Sequence, residues 1–114
     1  MSRSDRERLL DIQAACDAIT SYDNRDGIDE DIFFDAIRVR LIEIGEAVKD
    51  IDAQMLATEP AIRWTDIARM RDQLAHRYFD TTHAVVCATA SNDIPILAAA
   101  MHRLLSVRQS SGKA

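Results

Sequence analysis

One apolar stripe in the first half of the chain constrains the fold more than any other feature. Between about Asp29 and Ile51, apolar side chains recur every three or four residues, the spacing of one face of an α-helix. No proline interrupts this stretch, so it predicts one long helix whose apolar face must be covered by other elements. The stripe consists of Phe33, Ile37, Leu41, Ile44, Val48 and Ile51.

The rest of the chain predicts shorter helices around that one. Ser4 followed by Glu7 has the form of a capping box, and helical spacing then continues to about Ser21. Only three glycines and two prolines occur, and aromatic residues make up 5% of the chain, which favours helices over sheet. We therefore predict an all-α fold. The further predicted helices are Ala53 to Ala57, Asp66 to about Tyr78 with Thr65 as its cap, a helix to Asn92 after a break at residues 80–82, and a last helix from Pro95 to about Val107.

Length and composition predict one domain. We expect it to span residues 1–109, with a disordered tail at 110–114. Two cysteines are too few and too far apart for a disulfide framework. The N-terminus has no apolar signal core, and the longest apolar run, residues 96–101, is far shorter than the roughly twenty residues that span a bilayer. We expect a soluble cytoplasmic protein that does not enter a membrane.

Charge is unevenly distributed along the chain. The net charge of −5 argues against indiscriminate binding to nucleic acids, which depends on Lys and Arg displacing counterions. Residues 23–35 contain six carboxylates and one arginine, whereas residues 63–77 contain four arginines and two aspartates. No basic recognition helix is visible, so we predict no DNA binding.

The mildly basic stretch contains the motif R-x4-H-x-Y, formed by Arg71, His76 and Tyr78. An arginine can hold a phosphate bidentately and stabilise charge that builds on it. A histidine titrates near neutrality and can move a proton to or from a ribose hydroxyl or a leaving oxygen. Together they could cleave RNA without a metal, with the 2′-hydroxyl as internal nucleophile. The same residue types are also common at helix surfaces, so the spacing alone leaves that interpretation open.

The motif does not converge within one regular helix. Arg71 and Tyr78 are seven residues apart and lie on nearly the same stripe, whereas His76 lies about 140° around the helix from Arg71. Either the helix loosens near His76, or the site forms at a two-fold axis where Arg71 and His76 of two copies meet.

Four other positions are candidates for a role. Gly45 either marks the close approach of another backbone or is a tolerated glycine, at a cost of about 1 kcal/mol. Glu46 is either solvated or faces the arginines from a neighbouring helix. His83 and Cys87 have a spacing that can chelate a metal, but no third or fourth ligand is evident, and Cys87 suits a small buried apolar position better. We predict no metal and no cofactor.

The segment RDQLAHRYF at 71–79 resembles the signature of HEPN-domain proteins, specifically the HepT toxin family. The resemblance covers about residues 35–105, in matching order and separation. It extends to IGEA at 44–47, to RWTDI at 63–67 and to NDIP at 92–95.

The resemblance implies an up-and-down bundle of four to five helices that forms homodimers, with the R-x4-H motifs lining a cleft at the interface. It implies the toxin of a type VII-like toxin–antitoxin pair, a metal-independent endoribonuclease whose substrate is transfer RNA or messenger RNA. By position, Arg71 and His76 would be the catalytic pair, with Asp72 and Glu46 as auxiliary residues. Tyr78 matches the tyrosine to which the partner antitoxin, a minimal nucleotidyltransferase (MNT), adds AMP.

Two interpretations of the partner follow from this resemblance. AMP on Tyr78 would block the cleft by bulk and negative charge. The acidic residues 23–35 would be either a docking surface for the antitoxin or a solvated face. Alternatively, the chain is a catalytically silent helical subunit of a nucleotidyltransferase complex. Substitution His76→Ala separates the two functions, because only a ribonuclease would lose activity.

Overall fold

The computed structural model describes residues 4–75 and 83–111, with side chains in the second range described for 85, 86 and 88–106. All regular secondary structure in these two ranges is helical, as predicted. The helices are α1 (Asp5–Asp23), α2 (Glu30–Asp50), α3 (Ala53–Leu56), α4 (Trp64–Ala75), α5 (His83–Ala88), a π-helical turn (Thr89–Asp93) and α6 (Ile94–Ser111).

The first two helices begin where their capping residues stand. The Ser4 side chain accepts from the backbone N–H of Glu7, and the Glu7 carboxylate accepts from the N–H of Ser4, which confirms the predicted capping box. Asp29 accepts from two backbone N–H groups at the start of α2. Between the helices, Gly27 has φ +79°, a left-handed conformation that favours glycine.

The core lies where α1, α2 and α6 pack together. The predicted stripe of α2 faces it, with five of its six side chains buried and Phe33 packed against the edge. The α1 and α6 side chains that fill this core are almost entirely shielded from solvent: Leu9, Ile12, Cys16, Ile19, Leu97, Ala100, Met101 and Leu104.

Helix α4 begins earlier than predicted. The backbone N–H groups of Asp66 and Ile67 both donate to the carbonyl of Arg63, so helical bonding starts at Arg63. The prediction that Thr65 caps this helix is therefore wrong, because Thr65 lies inside the first turn. The indole N–H of Trp64 donates to the carbonyl oxygens of Leu56 and Glu59, at 2.9 and 3.2 Å, and joins the start of α4 to the preceding turn.

A π turn joins α5 to α6 without a loop. The sequence predicted a new helix at Pro95, and Pro95 does lie in the first turn of α6, but the helical path continues through residues 89–93. The N–H of Ile94 donates to the carbonyl of Thr89, a wider spacing than in an α-helix. Since proline lacks an N–H and clashes with the preceding turn of an α-helix, the wider turn lets the chain pass Pro95 without ending.

The C-terminal helix is longer than the sequence indicated. Helix α6 runs through Ser111, beyond the predicted end near Val107 and into the first part of the predicted tail. The limits of the domain stay a prediction. None of the helices described is long and apolar enough to cross a bilayer.

Candidate active site at the seam between α2 and α4

Helices α2 and α4 approach closely at Gly45. A Cβ atom at this position would lie 2.7 Å from Cγ of Arg71 and 3.3 Å from the carbonyl oxygen of Ile67. The contact with Cγ, and another with Cβ of Arg71, are too short for a real side chain, and both atoms are too near the Arg71 backbone to move aside cheaply. Of the two interpretations of Gly45, close approach is therefore confirmed. Because Gly45 has no side chain, Cβ and Cγ of Arg71 fit against α2 at this point.

Arg71 is held by two carboxylates at the edge of this seam. Its Nη2 donates to Oε1 of Glu46 at 3.0 Å, and its Nη1 donates to Oδ1 of Asp72 at 3.2 Å. The Arg71 side chain is 24% exposed, whereas the Glu46 and Asp72 side chains are 56% and 48% exposed. The bonds to Glu46 and then to Asp72 raise the pKa of Arg71 above its usual value. The guanidinium is therefore permanently charged and lies next to solvent.

The Nε atom of Arg71 behaves differently from its terminal nitrogens. It is buried and meets no hydrogen-bond acceptor within the described ranges. Contacts between Arg71 and an incoming anion must therefore use the two terminal nitrogens, which already bind the carboxylates.

Lys49 completes this group of charges. Its Nζ donates to Oδ1 of Asp72, the same oxygen that accepts from Arg71. The Lys49 bond is the main reason that the pKa of Asp72 lies below its usual value, and the Arg71 bond contributes further. Glu46, Lys49, Arg71 and Asp72 thus form one chain of alternating charges with no net charge, which we call the Arg71 cluster.

Arg38 of α2 binds the backbone of α4. Its Nη2 donates to the carbonyl oxygen of Leu74 at 2.7 Å. This bond joins the two helices at the last turn of α4 that the structure describes.

The structure brings together three of the five residues that the sequence singled out. Arg71, Asp72 and Glu46 are in direct contact. His76 and Tyr78 lie outside the described residues, so their distance from Arg71 and the two ways of joining Arg71 to His76 stay predictions. The cluster also includes Lys49, and Arg38 joins the same two helices nearby. The sequence pattern predicted neither residue.

A sequence signal for Lys49 existed. The chain has two lysines, at 49 and 113, and Lys49 stands three residues after Glu46, on a neighbouring part of the same helical surface. For Arg38 no comparable signal is visible, because its partner is a backbone carbonyl.

A cavity of about 470 Å³ lies elsewhere, between α2, the start of α4 and the start of α6. Its walls are largely apolar, with Arg63 and Asp66 among its few charged residues, and no member of the Arg71 cluster lines it. The described residues contain no group of three or more His, Cys, Asp or Glu side chains that could hold a metal ion. The side chains of the His83 and Cys87 pair are outside the described set. The Arg71 cluster is where the described structure brings the predicted site residues together.

Comparison with known proteins points to one family. A family model described as ribonuclease HepT-like matches residues 9–104. A Thermococcus cleftensis protein named "Probable ribonuclease HepT" is 36% identical over 109 residues, which cover 91% of this chain and 98% of that protein. Two Methanocaldococcus jannaschii proteins, both named as candidate RNases, are 36% and 37% identical over 91 residues. These matches cover 76% of this chain and 78% and 75% of the two relatives. No solved structure of another protein matches significantly.

The matched region includes α2 and α4 in full and most of α1 and α6. It therefore contains nearly all of the core and the whole Arg71 cluster. This extent of similarity confirms the resemblance that the motif suggested. The chain belongs to the HepT-like ribonuclease family.

Proposed function

We propose that this protein is a metal-independent endoribonuclease and the toxin of a HepT/MNT toxin–antitoxin pair. Arg71 and His76 form its catalytic pair and cleave transfer RNA or messenger RNA. The cleft that holds them lies between two copies of the chain. A nucleotidyltransferase antitoxin neutralises the enzyme by adding AMP to Tyr78.

The placement of Arg71 is the observation that carries this proposal. Its guanidinium lies at the solvent-exposed edge of the seam and is oriented by Glu46 and Asp72. The Cβ and Cγ atoms of Arg71 occupy the space next to Gly45. A charged arginine in a fixed position can bind a phosphate and stabilise the negative charge that grows on it during cleavage. The family membership supports ribonuclease activity as the use of this arginine.

The reaction requires one phosphate contact and two proton transfers. The ribose 2′ oxygen attacks the adjacent phosphorus and loses its proton, while the bond from phosphorus to the 5′ oxygen breaks. The leaving 5′ oxygen takes up a proton, and the products carry a 2′,3′-cyclic phosphate and a 5′-hydroxyl. Arg71 balances the charge on the phosphate, and His76, five residues further along the chain, carries the protons.

The exposed face of α2 supports the homodimer. Ile32 and Val39 are exposed apolar side chains, and Glu46 follows them at the same interval of seven residues. On a helix this spacing places all three on nearly the same stripe. A second copy that covers Ile32 and Val39 would therefore lie beside Glu46 and the arginine that it holds.

The proposal is tested by incubating the purified protein with total RNA in EDTA, beside Arg71→Ala and His76→Ala. We expect cleavage by the wild type and a loss of at least about a hundredfold in both variants, because each removes a group used in the transition state. Arg69→Ala is the matched control, since Arg69 lies on the same helix, is exposed and pairs with Asp66 rather than with the cluster.

Two further measurements on the same samples make the result decisive. Light scattering reports whether the active species is a dimer. Intact mass reports whether Tyr78 already carries AMP, which would explain an inert preparation. An unmodified protein that cleaves no RNA would overturn the ribonuclease proposal in favour of a partner-binding subunit.

A further inference from the structure

Asp72 offers one oxygen atom to two cations. Oδ1 accepts from Nη1 of Arg71 and from Nζ of Lys49, which reaches it from α2. Lys49 is 37% exposed and Asp72 48% exposed, so this contact lies at the open edge of the seam. The geometry makes Lys49 and Arg71 competitors for the same carboxylate.

This competition affects how strongly Arg71 can bind a phosphate. Glu46 and Asp72 together carry two negative charges against the single positive charge of Arg71. Without Lys49 these three residues would have a net charge of −1 and would repel the RNA backbone. With Lys49 the cluster is neutral, and part of the hydrogen-bonding capacity of Asp72 is directed away from Arg71.

The position of Lys49 on α2 allows it to do this without displacing Arg71. Lys49 and Glu46 are three residues apart on one helix and therefore reach α4 from neighbouring points. Glu46 binds Nη2 of Arg71, while Lys49 binds the partner of Nη1. Helix α2 thus supplies both the carboxylate of Glu46, which binds Arg71, and the ammonium group of Lys49, which competes with Arg71 for Asp72.

We propose that Lys49 is a positioning residue of the ribonuclease site, which holds the Asp72 carboxylate and leaves the Arg71 guanidinium available to an RNA phosphate. This inference rests on the proposed function and adds a residue to it. Lys49 acts through Asp72 and need not touch the substrate.

The test is a double-mutant cycle with Lys49→Gln, Asp72→Asn and both together. The probe for kinetics is a labelled RNA oligonucleotide that spans a cut mapped in total RNA. We expect Lys49→Gln to raise KM by roughly fivefold, the scale of one exposed charge interaction, with kcat within about twofold of wild type. In the Asp72→Asn background the same change should alter KM by less than about twofold, because no carboxylate remains to be held.

Two variants serve as controls. Lys49→Arg keeps the charge and should retain the wild-type KM within about twofold. Arg40→Gln removes a positive charge from the same helix, where Arg40 pairs with Glu43 and Tyr22, and should leave KM unchanged. A thermal melt of each variant excludes unfolding as the cause of any change.

A second readout does not depend on cleavage. Carboxyl NMR should show a higher pKa for Asp72 in Lys49→Gln than in the wild type, because the Lys49 bond is the main cause of its depression. An unchanged pKa would overturn the inference.

The kinetic outcomes separate this inference from the proposed function. An active wild type with an unchanged KM in Lys49→Gln would overturn the role of Lys49 alone. An equal rise in KM in both backgrounds would also overturn it, because Lys49 would then act on the RNA directly. An unmodified wild type that cleaves no RNA, with Asp72 still shifted in Lys49→Gln, would overturn the ribonuclease proposal and this inference with it.

Discussion

The packing of α1 against α6 and the packing of α4 against α2 rely on different interactions. Between α1 and α6, side chains such as Ile12, Ile19 and Met101 are fully buried. On α4, Leu74 is the buried side chain, and Ile67 and Met70 only pack against the edge of the core. What distinguishes the α2–α4 seam is one glycine and a line of charged groups at the surface.

This difference separates stability from chemistry. Burial of apolar surface is the main source of folding free energy, whereas exposed ion pairs contribute little. The α1–α6 packing should therefore determine whether the chain folds, and the seam should determine where Arg71 stands. Substitutions in the two regions should produce different combinations of lost stability and lost activity.

The largest effect on stability is expected in the core. Ile12→Ala should lower the free energy of unfolding by about 2–5 kcal/mol, because it leaves a cavity among fully buried side chains. Denaturant unfolding measures this change. RNA cleavage per folded molecule should stay near the wild-type rate, because Ile12 does not contact the seam.

Leu10→Ala is the matched control for that experiment. Leu10 lies on the same helix but is exposed, so its loss should cost no more than about 0.5 kcal/mol. Equal losses for Leu10 and Ile12 would contradict the assignment of stability to the buried face of α1.

An intermediate effect on stability, combined with a large effect on activity, is expected at Gly45. Gly45→Ala forces a Cβ into Arg71, at a cost of about 1–3 kcal/mol, which the better helix propensity of alanine offsets by about 1 kcal/mol. Because Arg71 must move, cleavage should fall by at least about tenfold even in fully folded protein.

Gly27→Ala provides the comparison with a second glycine. Gly27 has open space around it and a φ of +79°, so alanine there costs about 1–2 kcal/mol through backbone strain alone. Its cleavage rate per folded molecule should equal that of the wild type. If both glycine variants lose activity in proportion to stability, Gly45 has no special relation to the site.

The smallest effect on stability is expected at high pH, from ionisation of the buried Cys16 thiol. Burial, and then the nearby charge of Asp17, raise the pKa of the Cys16 thiol from 9.0 to about 12. A group whose pKa is raised on folding contributes stability that is complete below its unfolded pKa and decreases as pH rises towards its folded pKa. Stability should therefore fall between about pH 9 and 12, by about 1 kcal/mol at pH 10.

Denaturant unfolding at pH 8 and pH 10 measures this loss of stability. Other groups also titrate in that range, so the loss in the wild type is compared with the loss in Cys16→Ala, which has no thiol at this position. An identical loss of stability in both proteins would show that Cys16 ionises as easily in the fold as in the unfolded chain.

Much of the fold was predictable because its signals are local. The capping box at Ser4, the bounds of α2 within one residue and the buried face of α2 all follow from short-range spacing. The start of α4 was predicted wrongly at Asp66, with Thr65 as its cap. The carbonyl that begins the helix belongs to Arg63, and the pattern of side chains does not reveal a backbone acceptor. The continuous path past Pro95 was missed, since an α-helical pattern does not anticipate a π turn.

The sequence by itself determined the family and predicted the catalytic residues that we propose, because the motif that contains Arg71, His76 and Tyr78 is read directly from the chain. It also indicated that Gly45 and Glu46 are unusual, but it left two interpretations of each. Tertiary structure decided between them, and it alone brought Lys49 to Asp72 and Arg38 to the carbonyl of Leu74. The physical reason is that periodicity depends on neighbours along one helix, whereas these contacts depend on how two helices are rotated and how closely they approach.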